Sequence, residues 1–200
     1  MAKTVQFYYD FASPYGYLAS TQIVGLAAKH GRTVEWKPML LGVAFKTTGG
    51  MPLPSVPLKG DYSRHDMVRT ARLMGIELKI PSKFPISSQS PARVIYWLES
   101  QGAARQEEAT RALYRAYMVE DKDISSPEVT ADVAASLGHD RQKILEVIAD
   151  PAIKEKLKQE TEAAIQRGVF GSPFIFVDEE PFWGCDRLPQ VERWLQTGGW

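Results

Sequence analysis

Hydrophobic and polar positions along the chain change their period several times, and these changes predict the order of its elements. Residues 4–9 (TVQFYY) form a β-rich run with aromatic and β-branched residues in alternation. Residues 14–30 have helical spacing, and Gly31 follows them as the expected C′ residue. Residues 33–37 predict a second strand, which Pro38 ends. The short connections of this β-α-β unit favour parallel pairing of its strands.

The middle of the chain has helical spacing and no convincing strand. Residues 53–60 are rich in proline and predict a loop. Apolar residues then recur at the spacing of a helix face, which predicts helices over residues 61–74, 91–100, 104–119, 127–137, 140–149 and 151–167. This helical block separates the β-α-β unit from the end of the chain.

Strand character returns in the C-terminal part. Residues 173–177 (PFIFV) and 181–183 predict two strands, and the acidic turn between them predicts a hairpin. Residues 188–197 predict a final helix. The predicted order is therefore β-α-β, a helical block, and β-β-α.

This order predicts both the fold class and the domain division. It is typical of an α/β protein with a thioredoxin-like fold and an inserted all-helical domain. We expect a discontinuous thioredoxin-like domain at residues 1–40 plus 165–200, and a helical insertion domain at residues 41–164.

Composition excludes several classes of function. The 200 residues include 24 Lys and Arg and 24 Asp and Glu, and this balance argues against a nucleic-acid binder. A single cysteine excludes an intramolecular disulfide, a CxxC redox pair and a cysteine-based zinc site. No histidine-based or other metal-ligand spacing is present, so no metal is expected. Without a long apolar segment we expect no signal peptide, no membrane partner and a cytoplasmic location.

The balanced charge conceals an asymmetry between the halves. Residues 1–98 carry 12 basic and 5 acidic side chains, a net charge of +7. Residues 99–200 carry 12 basic and 19 acidic side chains, a net charge of −7. Two interpretations stay open: ordinary solvated helix faces, or a contribution of the basic half to an anion site.

The junction of the first strand and first helix carries the first candidate motif (DFASPYGY, residues 10–17). Ser13 precedes Pro14, a pair typical of a helix start, so Ser13 is expected as an N-cap. An N-cap residue before a proline is also predicted at Ser90-Pro91, Ser126-Pro127 and Asp150-Pro151. A functional interpretation stands beside it, because ligands of α/β sheets bind at the carboxyl ends of strands. There a serine hydroxyl can cap the helix and still donate a hydrogen bond to a thiolate that a ligand supplies.

Two further motifs lie near the C-terminal end. In the first (GVFGSPFIFV, residues 168–177), a cis Ser172–Pro173 bond would turn the Ser172 backbone toward a peptide-like ligand, whereas trans is the common form. In the second (FWGCDR, residues 182–187), Asp186 either caps the last helix or accepts a bond from a ligand ammonium group. Cys185 is either a buried structural residue or a reactive thiol whose pKa a helix start lowers.

Together the three motifs resemble the 2-hydroxychromene-2-carboxylate isomerase family, which belongs with kappa-class glutathione transferases and DsbA-like thioredoxin proteins. The resemblance runs from about Val5 to Leu195. It also includes residues 37–42 (KPMLLG), Phe45-Lys46, Phe84-Pro85 and Arg93.

The resemblance implies an enzyme, usually a homodimer, that binds glutathione and acts on a small aromatic substrate. The implied activity is cis-trans isomerisation of 2-hydroxychromene-2-carboxylate or a related aromatic catabolite by reversible addition of the glutathione thiolate. Ser13 is the implied catalytic residue and faces the glutathione sulfur. The implied glutathione-binding residues are Ser13, Lys46, Lys59, Ser172, Pro173, Cys185 and Asp186.

The substrate pocket is expected at Phe11, Tyr15, Ser87 and Trp183. The aromatic members suit a flat aromatic substrate, although they equally suit a hydrophobic core. Two other functions stay open: a kappa-like glutathione S-transferase that conjugates electrophiles, and a non-catalytic thioredoxin-like binding module.

Overall fold

A four-stranded sheet organises the computed structural model, which describes residues 4–200. The strand order is β2-β1-β3-β4, with β1 at Thr4–Tyr9, β2 at Thr33–Pro38, β3 at Phe174–Val177 and β4 at Glu180–Trp183. β1 and β2 are parallel, β1 and β3 are antiparallel, and β3 and β4 form the predicted hairpin. These pairings confirm the α/β thioredoxin-like order that the sequence predicts.

Helices account for most of the remaining chain. Within the described residues they are α1 (Pro14–Ser20), α2 (Ile23–Lys29), α3 (Leu41–Thr48), α4 (Lys59–Met74), α5 (Gln89–Leu98), α6 (Ala103–Met118), α7 (Pro127–Ser136), α8 (Arg141–Ala149), α9 (Pro151–Gln166) and α10 (Leu188–Thr197). The elements α3 to α9 lie in the chain between β2 and β3. The division into two domains at residues 40 and 165 stays a prediction.

The first strand is buried on both faces of the sheet. Phe7 and Tyr9 point to one face and pack against Trp36 of β2, with ring centroids 5.4 and 5.7 Å apart. Tyr8 points to the other face and packs against Phe176 of β3. Helices therefore cover both faces at β1, and the loop that follows β1 begins from a fixed point in the core.

The segment predicted as one helix over residues 14–30 is two helices, with a break at Thr21 and Gln22. The Ser20 hydroxyl donates to the Tyr17 carbonyl at 2.7 Å, and the Thr21 hydroxyl donates to the Leu18 carbonyl at 2.8 Å. Side-chain bonds of this kind compete with the helical ladder, which explains the break.

Three of the four predicted N-caps are confirmed. Ser13, Ser126 and Asp150 accept bonds from backbone N–H groups of α1, α7 and α9. The prediction at Ser90 is wrong, because α5 begins at Gln89 and the Ser90 hydroxyl donates to the Ser125 carbonyl instead. Of the two interpretations of Asp186, the helix cap is wrong: a single 3₁₀ turn at Cys185–Arg187 precedes α10, whose start has no side-chain cap.

The helix α3 was not predicted, and it matters for the site. Its N-cap residue Leu40 has no capping side chain, but the Leu41 N–H donates to Asp10 Oδ2 at 2.7 Å. The cap therefore comes from the loop after β1. Within residues 4–200, none of the helices is long and apolar enough to cross a membrane.

Candidate functional site

A cavity of about 860 Å³ opens beside the carboxyl end of β1. Its wall is built from the loop after β1, the first residues of α1, one face of α3, part of α4, and the segments that flank the β3–β4 hairpin. Most of the wall is apolar. A concave apolar site of about 300–1,000 Å³ with a few converging polar groups is typical of small-molecule binding.

Ser13 lies on this wall at the start of α1. Its Oγ accepts a hydrogen bond from the Gly16 N–H at 3.0 Å and donates one to the Ser172 carbonyl at 2.9 Å. The hydroxyl thus caps the helix and joins two of the sequence motifs. To donate to a ligand, it must turn its proton away from the Ser172 carbonyl while it keeps the cap.

Ser172 holds the opposite side of this contact. The Ser172–Pro173 peptide is cis, which confirms the prediction. The Ser172 Oγ accepts a bond from the Asp10 N–H at 3.0 Å, and the Ser172 carbonyl accepts the Ser13 hydroxyl. Its own N–H has no hydrogen-bond partner among residues 4–200. The Ser172 backbone therefore presents one free donor at the wall, while its carbonyl already has one partner.

Asp10 joins the elements that position Ser13. Its carboxylate accepts bonds from the Ala12 N–H at 2.8 Å and from the Leu41 N–H at 2.7 Å. Its carbonyl accepts the Ser13 N–H and the hydroxyl of the buried Tyr114, both at 2.9 Å. Burial raises the pKa of Asp10, and the hydrogen bonds to its carboxylate oppose that rise. Asp10 thus fixes the Ser13 loop to α3 and α6.

Tyr15 connects α1 with α4 across the cavity wall. Its hydroxyl donates to Asp66 Oδ2 at 2.5 Å, and Asp66 also pairs with Arg69. Burial and the neighbouring carboxylate raise the pKa of Tyr15, while the bond from Tyr15 and the pair with Arg69 lower the pKa of Asp66. The phenol therefore stays protonated and Asp66 stays ionised near neutral pH.

Cys185 lies on the wall as a buried free thiol. Burial, together with the neighbouring Asp186 carboxylate, raises the pKa of Cys185 to about 11. The interpretation of Cys185 as a thiol activated by a lowered pKa is therefore wrong, and its burial agrees with the structural alternative. Asp186 and Arg187 follow it on the wall, with more exposed side chains.

Aromatic side chains form the rim of the cavity. Phe170 and Trp183 contact each other edge to face, with ring centroids 4.8 Å apart, and both are about half exposed. A Cβ at Gly171 would overlap the Trp183 indole, so only glycine allows this ring to lie against the backbone there.

The structure brings six of the predicted site residues together on the wall: Ser13, Tyr15, Ser172, Trp183, Cys185 and Asp186. The remaining five lie elsewhere. Phe11 is fully buried and packs on Tyr114 with ring centroids 4.9 Å apart, which places it in the core. Lys46 on α3 and Lys59 at the start of α4 are exposed and outside the wall.

The last two predicted residues flank the cavity. Pro173 follows Ser172 and does not itself reach the wall. Ser87 is exposed and does not reach the wall, whereas the neighbouring Ser88 is buried. The assignment of Ser87 to a substrate pocket stays a prediction.

Sequence reasoning missed three charged residues of the wall: Asp10, Asp66 and Arg187. Two of them carried a local signal. Asp10 directly follows a buried strand, and Tyr62, Asp66 and Arg69 recur at the spacing of one helix face. Within residues 4–200, no group of three or more His, Cys, Asp or Glu side chains is placed to hold a metal ion.

Comparison with known proteins adds to this geometry. The sequence profile of the DSBA-like thioredoxin domain matches residues 4–196. The 2-hydroxychromene-2-carboxylate isomerase of Sphingobium xenophagum is 32% identical over 198 residues, which cover 98% of this chain and 99% of the relative. Glutathione S-transferase kappa 1 of Homo sapiens is 28% identical over 216 residues, which cover 98% and 94%.

A solved structure extends the similarity to the backbone. A 2-hydroxychromene-2-carboxylate isomerase superposes with a TM-score of 0.86 at 31% sequence identity, over 96% of this chain and 94% of that one. The similarity in sequence and in backbone therefore covers the strands, the helices between them and every motif described above.

Proposed function

The chain belongs to the 2-hydroxychromene-2-carboxylate isomerase family of DsbA-like thioredoxin proteins, and we propose that it catalyses a glutathione-dependent cis-trans isomerisation of 2-hydroxychromene-2-carboxylate or a related aromatic compound. The observation that carries the proposal is the position of Ser13. Its hydroxyl lies at the start of α1, on the wall of a large apolar cavity, in contact with Ser172. Ser13 thus provides a hydroxyl donor at the strand–helix junction where redox thioredoxin folds have a cysteine.

The wall residues fit glutathione as a cofactor. Glutathione is a short peptide, and the free Ser172 N–H offers the main-chain donor that an extended peptide requires. The Ser172 carbonyl has a second lone pair beside the one that Ser13 occupies. Asp186, exposed at the same cavity, is a carboxylate that suits the ammonium group of the γ-glutamyl end.

Some of the glutathione-binding residues that the resemblance implies do not lie on the cavity wall. Lys46 and Lys59 lie outside the wall, so we retain them only as long-range contributors of positive charge. Cys185 and Pro173 act through packing beside Ser172 and Asp186 in this proposal. When bound, glutathione supplies a thiol nucleophile that adds reversibly to a conjugated double bond and lets it rotate.

Ser13 has two tasks in the proposed reaction. Its cap on Gly16 keeps the hydroxyl at the start of α1, and its proton turns from the Ser172 carbonyl toward the cofactor sulfur. A hydrogen bond to the ionised form of a thiol favours that form and lowers its pKa below about 8.5. A hydroxyl turned in this way would leave the Ser172 carbonyl available to a backbone N–H of the cofactor.

The rest of the wall suits an aromatic substrate. Tyr15, Phe170 and Trp183 present aromatic surface at the cavity, and the remaining wall is mostly apolar. Phe11 has no place in this pocket because it packs in the core. We further propose a homodimer, as the family resemblance implies, in the cytoplasm, where a reducing environment keeps glutathione in the thiol form.

The proposal is tested by the glutathione dependence of isomerisation in the purified protein. We expect 2-hydroxychromene-2-carboxylate to be converted only when glutathione is present, with glutathione unchanged at the end of the reaction. Conversion that proceeds equally without glutathione would contradict the mechanism.

The two alternative functions give different results in the same assay. A kappa-like transferase would consume glutathione and form a conjugate with an electrophile such as 1-chloro-2,4-dinitrobenzene. A non-catalytic binding module would convert neither compound. Either result would replace the isomerase proposal.

A further inference from the structure

The cavity wall carries more negative than positive side chains, although both ligands of the proposed function are anions. Among residues 4–200, the wall carries the carboxylates Asp10, Asp66 and Asp186 and the guanidinium of Arg187 as its single cation. Glutathione carries two carboxylates, and 2-hydroxychromene-2-carboxylate carries one. A carboxylate that enters a mostly apolar cavity needs a cationic or hydrogen-bonding partner.

Two of the wall carboxylates are already paired. Asp10 accepts two backbone N–H groups, and Asp66 accepts the Tyr15 hydroxyl and pairs with Arg69. These bonds hold secondary-structure elements together and leave Arg187 out. The guanidinium is therefore not consumed by the carboxylates that are fixed in the wall.

The N–H groups of the Arg187 guanidinium are available to a ligand. Its contact with Asp186 is an ion pair with Nη2 and Oδ2 3.7 Å apart, longer than a hydrogen bond. It donates no side-chain hydrogen bond to any residue of the described range. By contrast, Arg32 holds both oxygens of Asp178 at 2.8 and 3.2 Å. An arginine with this unused fork suits a carboxylate in bidentate geometry.

The backbone of Arg187 is fixed although its side chain is about half exposed. It ends the 3₁₀ turn after β4, and its N–H donates to the Gly184 carbonyl at 3.2 Å. Cys185 and Leu188 on either side are buried. The guanidinium is thus attached to a rigid part of the wall.

We propose that Arg187 recognises a ligand carboxylate in the cavity and thereby selects anionic ligands, an inference that rests on the proposed function. The carboxylate belongs either to glutathione or to the aromatic substrate. Arg187 is a specificity residue in this account and takes no part in bond making or breaking.

The test compares Arg187→Gln with Arg193→Gln, a matched control on the exposed side of α10 whose guanidinium lies over Trp200 and away from the cavity. Glutathione affinity is measured by calorimetry without substrate, and the KM for 2-hydroxychromene-2-carboxylate is measured at saturating glutathione. Loss of charged hydrogen bonds predicts a rise of about 10- to 100-fold in one of these constants, with a much smaller change in kcat. Arg187→Lys is expected to restore part of the affinity, because it keeps the charge without the fork.

The two measurements distinguish the sources of the carboxylate. A weaker glutathione affinity of Arg187→Gln identifies glutathione as the source of the carboxylate. A higher substrate KM alone identifies the substrate. If both constants match those of Arg193→Gln in a protein that isomerises normally, the inference is wrong. If the wild-type protein neither binds glutathione nor isomerises, the proposed function fails and this inference fails with it.

Discussion

Gly16→Ala places one methyl group where the loop after β1 meets the loop before β3. The new Cβ would lie 2.7 Å from the Tyr114 hydroxyl oxygen, 2.8 Å from Ser172 Oγ and 3.2 Å from Ser13 Cβ. Contacts this short require the neighbours to move. Both oxygens bond the backbone of Asp10, so neither moves without a cost.

The magnitude follows from two opposing terms. Alanine is favoured over glycine inside a helix by about 0.8–1.0 kcal/mol. Displacement of the two buried oxygens breaks hydrogen bonds whose loss costs about 1–3 kcal/mol each. The expected net effect of Gly16→Ala is a destabilisation of roughly 1–5 kcal/mol.

Gly25→Ala is the matched control. Gly25 lies inside α2, and a Cβ built there meets nothing within 4 Å. Only the helix preference then acts, so this substitution should stabilise the protein by about 0.8–1.0 kcal/mol. The same chemical change is therefore expected to have opposite signs at the two positions.

Urea unfolding followed by circular dichroism measures both variants. In thermal unfolding, each kcal/mol corresponds to a shift of about 2–4 °C for a protein of this size. Gly16→Ala should also bind glutathione more weakly, because Ser13 and Ser172 are displaced with the oxygens. A Gly16→Ala variant as stable as Gly25→Ala would refute the account of this packing.

Two further predictions concern the same wall. Ser172→Ala leaves the buried Asp10 N–H without its acceptor, so urea unfolding should show a loss of about 1–3 kcal/mol; unchanged stability would mean that this bond contributes nothing. Burial raises the pKa of Cys185 from 9.0 to about 11, so the thiolate population at pH 8 falls about 100-fold. Iodoacetamide should therefore label the native protein slowly at pH 8 and faster as the pH approaches 11, and rapid labelling at pH 8, as in urea, would contradict this.

The elements with local signals were predictable from the sequence. β1 and α10 have the predicted limits, because their apolar periods are intact and their ends carry ordinary breakers. The caps at Ser126 and Asp150 were also predictable, since each cap acts within three residues.

The elements that depend on distant partners were not predictable. The start of α3 is capped by Asp10, a residue 31 positions earlier in the chain, so no local cap marks it.

The residues of the site also divide into those that a local pattern predicts and those that depend on distant packing. The three motifs located the wall because each follows or precedes a strand of the sheet, and strand ends meet at one edge. Asp66 reaches the wall only because α4 packs against α1, a contact that no local pattern reports. Phe11 was assigned to the pocket by residue type alone, and burial against Tyr114 decided otherwise.

The central claim is that the Ser13 hydroxyl stabilises a glutathione thiolate, and the most direct test compares Ser13→Ala with Ser126→Ala. Both serines cap a helix in front of a proline, and Ser126 lies outside the cavity wall. Each variant should lose a similar amount of stability, about 0.5–2 kcal/mol. The ultraviolet absorbance of the bound thiolate is followed against pH, together with glutathione affinity and isomerisation rate. We predict that only Ser13→Ala raises the pKa of bound glutathione and lowers turnover far more than glutathione affinity. Equal turnover by Ser13→Ala and Ser126→Ala, with the same thiolate titration, would contradict the claim.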